Sequence, residues 1–257
     1  MIFERQQAKF LRQRLDFPPV FMTVVAGPRQ VGKSTLVRQV LADRAATFVA
    51  ADQPLPEDID PFRKTLDYLP VPGAPPTTEW LVRHWTQARA KATPLPDGKY
   101  FVLAIDEIQK IPRWSEVVKG LWDADRAERV PMHVILLGSS PLLMQKDLTE
   151  SLAGRYEMLR MTHWSYPEMQ EAFDFSLDEY IYFGGYPGSA SLIRDERRWR
   201  DYVRGALIQP NIEKDILQMT RVDKPALLKT LFELGDRSGD TQEESNALAP
   251  CVNIFVA

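Results

Sequence analysis

The sequence predicts an α/β protein: a parallel β-sheet with helices on both faces, followed by a helical region. Three observations predict it. Apolar, β-branched runs at 20–27, 99–108 and 131–140 alternate with segments of helical periodicity, the pattern of a doubly wound sheet whose strands are buried on both faces. The first run passes at once into a glycine-containing loop and then a helix. From Ser165 onward the strand signals stop and the periodic segments are helical.

The elements follow in order. Residues 3–15 read as a short helix with Phe3, Phe10, Leu11 and Leu15 sharing one face, ended by Pro18 and Pro19. VFMTVVAG (20–27) is a buried strand, GPRQVGKS a loop, TLVRQVLADR a helix, and ATFVA (46–50) a second strand. Residues 52–76 carry seven prolines and read as an irregular insertion. A helix at 77–92 precedes the strand KYFVLAIDEI (99–108). The helix at 114–126 places Val117, Val118, Leu121 and Trp122 on one face. PMHVILLGSS (131–140) is a strand ending in two serines; a helix, SLAGR and a fifth strand at 156–161 follow. Helices are expected at 165–174, 177–183, 195–209, 212–219 and 223–234, with GGYPG (184–188) as a break. The expected domains are a core at 1–163, a helical domain at 164–235 and a polar, aperiodic, disordered tail at 236–257.

Composition bounds the function classes. With 257 residues there is room for one α/β domain and a smaller module. A net charge of -3 offers no global basic field for nucleic acid. The single cysteine, Cys251, cannot form an internal disulfide. The N-terminus is charged from its fourth residue, and no run reaches the ~18 apolar residues of a membrane helix. A cytoplasmic protein with no membrane association is expected.

Gly27-Pro28-Arg29-Gln30-Val31-Gly32-Lys33-Ser34 fits G-x-x-x-x-G-K-[ST] at every fixed position and lies between a strand and a helix, the context of a phosphate-binding loop. Gly27 and Gly32 let the backbone turn tightly, so that successive N–H groups converge on phosphate oxygens at a helix N-terminus. Lys33 is expected to reach the β- and γ-phosphates of ATP, and the Ser34 hydroxyl to ligate Mg²⁺. Thr35 completes the nucleotide-binding set 27–35.

A phosphate loop needs a second oxygen donor for the metal, at the C-terminal end of another parallel strand. FVLAIDE supplies Asp106 for Mg²⁺ and Glu107 as the base that orients and polarises the attacking water. A surface carboxylate pair at a loop start is the plainer alternative. Ser139 ends the next strand, where it can hydrogen-bond the γ-phosphate or the attacking water, or simply cap a helix. Ser140 before Pro141 suits an N-cap. Arg155 either neutralises transition-state charge on a neighbouring subunit's γ-phosphate or forms an internal salt bridge.

GPRQVGKST (27–35), LAIDEIQKIPRW (103–114), LLGSSPLLM (136–144), SLAGRYE (151–157) and FGGYP (183–187) together resemble the AAA+ ATPases, in particular a group of bacterial and archaeal predicted ATPases with DEIQK in the second motif. The resemblance runs from about residue 20 to 235. It implies ATP as the nucleotide, a five-stranded P-loop sheet in the order 5-1-4-3-2, a helical lid carrying GGYP near the nucleotide base, Ser139 as the sensor residue and Arg155 as a conspicuous arginine. A homo-oligomer is a further expectation. Members of the group usually continue into a further C-terminal domain that 236–257 does not resemble. Arg194, Arg197 and Arg198 are lid-arginine candidates by charge only. The resulting expectation is an ATPase acting on an unknown protein or nucleic-acid client; the alternative is a non-hydrolysing ATP-dependent switch. The acceptor signature of a small-molecule kinase and the NKxD motif of a GTPase are both absent from the sequence.

Overall fold

The computed structural model describes residues 3–52, 76–93, 95, 98–139, 144 and 148–208. The expected prolines of 53–75, the Ser140 cap, the helices at 212–219 and 223–234, the 236–257 tail and Cys251 lie outside the described residues. The chain forms two units: one comprises Glu4–Gly27 and Lys33–Met161, the other Met1–Phe3, Pro28–Gly32 and the chain from Thr162 onward.

The first unit is built on five strands: β1 (Met22–Ala26), β2 (Ala46–Ala50), β3 (Phe101–Asp106), β4 (Met132–Gly138) and β5 (Tyr156–Arg160). All neighbours pair in parallel, in the order β2-β3-β4-β1-β5. This is the predicted order. The central strands β1, β3 and β4 are buried at every residue, which is why their sequences run apolar without alternation. The edge strands β2 and β5 keep partly exposed positions.

Register brings the strand ends together. Ala26 of β1 pairs with Gly138 of β4 and with Arg160 of β5, and Ile105 of β3 pairs with Leu136 of β4. The residues after β1, β3 and β4 therefore emerge along one edge, with β4 between the other two.

The helices cover the sheet through apolar stripes. In α1 (Gln6–Leu15) the buried residues are Ala8, Leu11 and Leu15. The expected face differs here: Phe10 is 45% exposed, because it stands one position, about 100° of helix, off the Leu11–Leu15 stripe. Phe3 precedes the helix and packs in the second unit, its ring 5.0 Å from that of Trp164. α2 (Lys33–Leu41) buries Leu36, Val37 and Val40. α3 (Thr78–Ala92) buries Leu81, Trp85 and Ala88. In α4 (Trp114–Ala127) Val118 and Trp122 are buried and Val117 and Leu121 partly so.

The second unit is helical, at Tyr166–Phe173, Leu177–Phe183 and Glu196–Tyr202, with a 3₁₀ segment at Pro187–Leu192. Ser176 and Glu179 cap one helix reciprocally: the Glu179 N–H donates to Ser176 Oγ at 3.2 Å and the Ser176 N–H to Glu179 Oε2 at 2.8 Å. The expected helix at 195–209 is α-helical only to Tyr202; Val203–Ile208 is π-helical. Among the described residues no helix is long and apolar enough to cross a membrane.

Candidate functional site

The phosphate loop begins where β1 meets β5. Met161 N–H donates to Ala26 O at 2.8 Å, which draws the two backbones so close that a Cβ on Gly27 would stand 2.1 Å from Met161 O. Only glycine fits there. Gln30 and Gly32 adopt left-handed backbone, at φ +61° and +89°, the conformation from which anion-binding concavities are made. A Cβ at Gly32 would meet nothing within 4 Å, so its demand is for backbone freedom, not space. Lys33 opens α2, is 6% exposed, and donates from Nζ to Gly27 O at 2.8 Å. That bond gives a buried polar group a hydrogen-bond partner.

The two carboxylates after β3 have separate settings. Asp106, 7% exposed, is the last residue of β3. Its Oδ2 accepts the Ser34 hydroxyl at 2.5 Å and its Oδ1 the Glu107 N–H at 3.0 Å. Ser34 lies in the first turn of α2, so this bond ties the loop's helix to the acidic strand across 72 residues of sequence. Glu107 has left-handed backbone, φ +53°, a conformation rare outside glycine and concentrated at functional sites. Its Oε2 accepts the Ser139 hydroxyl at 3.0 Å and Gln109 Nε2 at 2.7 Å. Ser139 follows β4 and is 4% exposed.

A hydroxyl and a carboxylate in mutual contact are the hard oxygen donors that Mg²⁺ takes alongside substrate phosphates. Among the described residues no group of three or more His, Cys, Asp or Glu could hold a metal, so an all-protein metal cage is not part of this arrangement. Ser34 and Asp106 fit a metal shared with a nucleotide.

In the second unit, the loop apex Pro28–Gly32 has its own supports. Val31 O accepts Trp164 Nε1 at 3.0 Å. Gln30 donates from Nε2 to Ala206 O at 3.1 Å and accepts the Tyr202 hydroxyl. The GGYP segment backs Trp164: Trp164 N–H donates to Gly185 O at 3.0 Å, and a Cβ on Gly185 would stand 2.1 Å from Trp164 O. Tyr186 is buried, which pushes its phenol up to about 12.

Arg155 stands elsewhere. Its Nε and Nη2 form a bidentate pair with Asp123, at 2.8 and 2.9 Å, and Nη1 donates to Ala153 O at 3.3 Å. The hydrogen bonding from Arg155 holds the Asp123 carboxyl below its usual value. Arg194, Arg197 and Arg198 are exposed, as is Thr35. The structure thus brings together Ser34, Asp106, Glu107 and Ser139, and pairs Arg155 within its own chain. Sequence reasoning did not single out Gln109, Trp164 or Tyr202. Gln109 stands inside the DEIQK segment, but nothing in a linear pattern says that its amide turns back onto Glu107.

Comparison with known proteins bears on the fold and family. Residues 21–170 match the family model described as AAA domain, and 174–249 match a domain of unknown function, DUF8612. The chain is similar to the structure of a Walker-type ATPase of Pyrococcus abyssi, at 21% identity and TM-score 0.50, over 93% of this chain and 77% of that one. Identity at that level speaks for shared fold alone. A RuvB variant of Thermotoga maritima aligns at 17% identity and TM-score 0.38, over 65% of this chain and 46% of that one. A chain of the Drosophila ORC structure bound to DNA aligns at 14% identity and TM-score 0.41, over 77% of this chain and 50% of that one. Comparison with curated proteins gives no match. With a family model spanning more than half the chain and a five-stranded parallel sheet in the P-loop order, the chain belongs to the AAA domain family and has the fold of an AAA+ P-loop ATPase.

Proposed function

We propose that this protein hydrolyses ATP to ADP and phosphate with Mg²⁺ and couples the cycle to a partner. One observation carries the reading. The adjacent carboxylates are divided between two hydroxyls, Asp106 with Ser34 of the phosphate-loop helix and Glu107 with Ser139 of β4. Metal-assisted hydrolysis needs that division of labour: one oxygen donor near the metal, one acceptor for the proton of water.

In this mechanism residues 27–35 hold the phosphates, with Lys33 supplying positive charge toward the β- and γ-phosphates. Ser34 and Asp106 would hold the metal beside the phosphates. When bound, Mg²⁺ neutralises charge on the phosphate oxygens. Glu107 orients a water and takes its proton as the water oxygen attacks the γ-phosphorus; the bond to the β-phosphate oxygen breaks and ADP leaves with the electron pair. Ser139 hydrogen-bonds the γ-phosphate or the water. The domain at 164–235 is the lid and the protein acts in the cytoplasm as a homo-oligomer; Arg155, paired with Asp123 in its own chain, acts on a neighbour's γ-phosphate only where that pair opens.

The test pairs two variants. Lys33→Ala should lose ATP binding, measured by titration of labelled nucleotide. Glu107→Gln should keep binding and lose turnover by about 10²- to 10⁴-fold, because an amide cannot accept the proton. Equal ATP affinity in Lys33→Ala, or unchanged phosphate release in Glu107→Gln, refutes the assignment. A wild-type protein that binds ATP and releases no phosphate supports a nucleotide-dependent switch instead.

A further inference from the structure

Gln109 touches both Glu107 and Ser139, and the proposed chemistry has not used it. It lies on the 3₁₀ turn Ile108–Lys110, directly after the acidic pair. Buried Ile108 and Ile111 pin that turn, and the Lys110 N–H closes it on Glu107 O at 3.0 Å. From there the amide reaches back. Nε2 donates to Glu107 Oε2 at 2.7 Å and to Ser139 Oγ at 3.3 Å, while the Ser139 hydroxyl donates to the same Glu107 oxygen at 3.0 Å. Three side chains close a ring of hydrogen bonds, and both donors converge on one carboxylate oxygen. The orientation of the amide follows from chemistry, since Glu107 Oε2 already accepts the Ser139 hydroxyl and only the nitrogen end of the amide carries N–H donors to add to it.

We infer that Gln109 is a positioning residue for hydrolysis: with Ser139 it anchors Glu107 through Oε2, leaving Oε1 as the oxygen that takes the proton from water. The inference rests on Glu107 acting as the base. Two further observations support it. First, Glu107 Oε1 accepts no hydrogen bond from the described residues, so the anchoring is one-sided. A carboxylate on a flexible stem samples many rotamers unless it is held, and a base must sit within hydrogen-bond reach of its proton.

Second, the amide is placed at a cost. Gln109 Oε1 is buried and has no hydrogen-bond partner among the described residues. It lies against the end of β4, where a Cβ on Gly138 would come within 3.0 Å of it and within 1.8 Å of Met144 Sδ. An unsatisfied buried acceptor is destabilising. Packing alone would be served better by an apolar side chain of similar length. What glutamine adds at this position is the pair of N–H donors aimed at Glu107 and Ser139.

The experiment compares wild type with Gln109→Met, which keeps the length and removes both donors, and with Gln109→Asn, which keeps an amide one methylene short of Glu107. Single-turnover and steady-state ATP hydrolysis, nucleotide titration and thermal melting are measured on the full chain. Both variants should lose about 10- to 100-fold in kcat, the scale of a reacting group misplaced by about 1 Å, with KM and ATP affinity unchanged. Gln109→Met should melt at the wild-type temperature or above it. In a Glu107→Gln background, Gln109→Met should cause no further loss, because its effect runs through that carboxylate. Wild-type or faster turnover in Gln109→Met overturns the inference. So does an additional loss in the Glu107→Gln background, or a kcat loss that comes with impaired folding or raised KM in both variants. Retained hydrolysis in Glu107→Gln alone would instead overturn the choice of base, so the two failures are distinguishable.

Discussion

Gly27→Ala and Gly32→Ala should damage the same loop for different reasons, and the difference can be measured. At Gly27 the obstacle is backbone. The added Cβ would stand 2.1 Å from Met161 O and 2.9 Å from both Met161 C and Cβ. A carbon–oxygen contact needs a little over 3 Å, so the strand ends must part by about 1 Å, against the Met161 N–H to Ala26 O bond of 2.8 Å. Overpacking of this kind costs about 1–3 kcal/mol, and a rigid carbonyl on the other side places Gly27→Ala toward the upper end. At roughly 2–4 °C per kcal/mol for a protein of this size, the melting temperature should fall by about 4–10 °C. At Gly32 the obstacle is conformational. Nothing lies within 4 Å of its Cβ position, but φ is +89°, which costs an L side chain about 1–2 kcal/mol. The cost should therefore depend on side-chain type: Asn, which tolerates left-handed backbone, should be mildest, Ala intermediate and Val worst. The assay is thermal melting of Gly27→Ala and the three Gly32 variants, without nucleotide. Gly27→Ala melting within about 1 °C of wild type, on the scale above, would refute the close approach of β1 and β5. Equal stability of Gly32→Asn and Gly32→Val would refute the left-handed turn.

Two other predictions follow from side chains away from the carboxylates. His133, 5% exposed, has its imidazole shifted from 6.5 to about 4, chiefly by burial and against the raising effect of its Nε2 contact with Phe17 O at 3.0 Å. The unfolded chain therefore binds this proton first: the stabilisation is complete above pH 6.5 and is lost as pH falls from there toward 4. It should amount to about 2 kcal/mol lost by pH 5. His133→Gln should flatten that part of the stability–pH curve in denaturant titrations, and an unchanged slope would contradict the buried neutral imidazole. For Arg155, action on a neighbouring subunit requires exchange of its Asp123 partner. Arg155→Ala should then lower turnover about 10³-fold with ATP affinity intact. Mixing it with Glu107→Gln subunits should restore part of the activity, whereas no recovery would leave Arg155 as a structural partner of Asp123.

The linear sequence carried the features that are encoded locally. Continuous apolar runs marked β1, β3 and β4 because strands buried on both faces have no solvent side to encode. Gly27, Gly32, Lys33 and Ser34 were legible because the loop's geometry is set by consecutive residues, and Asp106 and Glu107 because a strand end announces itself by the change from apolar to charged.

Tertiary structure decided what depends on partners far apart in sequence. Only the insertion of β4 between β1 and β3 brings Ser139 to Glu107, and only the folded sheet joins Ser34 to Asp106. The exposure of Phe10 follows from a phase difference of one residue in α1, too fine for a hydrophobicity pattern to resolve. Arg155 meets Asp123 across 32 residues, Trp164 meets Val31 across 133 and Tyr202 meets Gln30 across 172. Gln109 is the sharpest case, since its neighbours in sequence are known while its chemistry depends on a rotamer set by β4. Local backbone preference writes itself into residue order; a hydrogen bond between distant side chains exists only once the topology has placed both ends within about 3 Å.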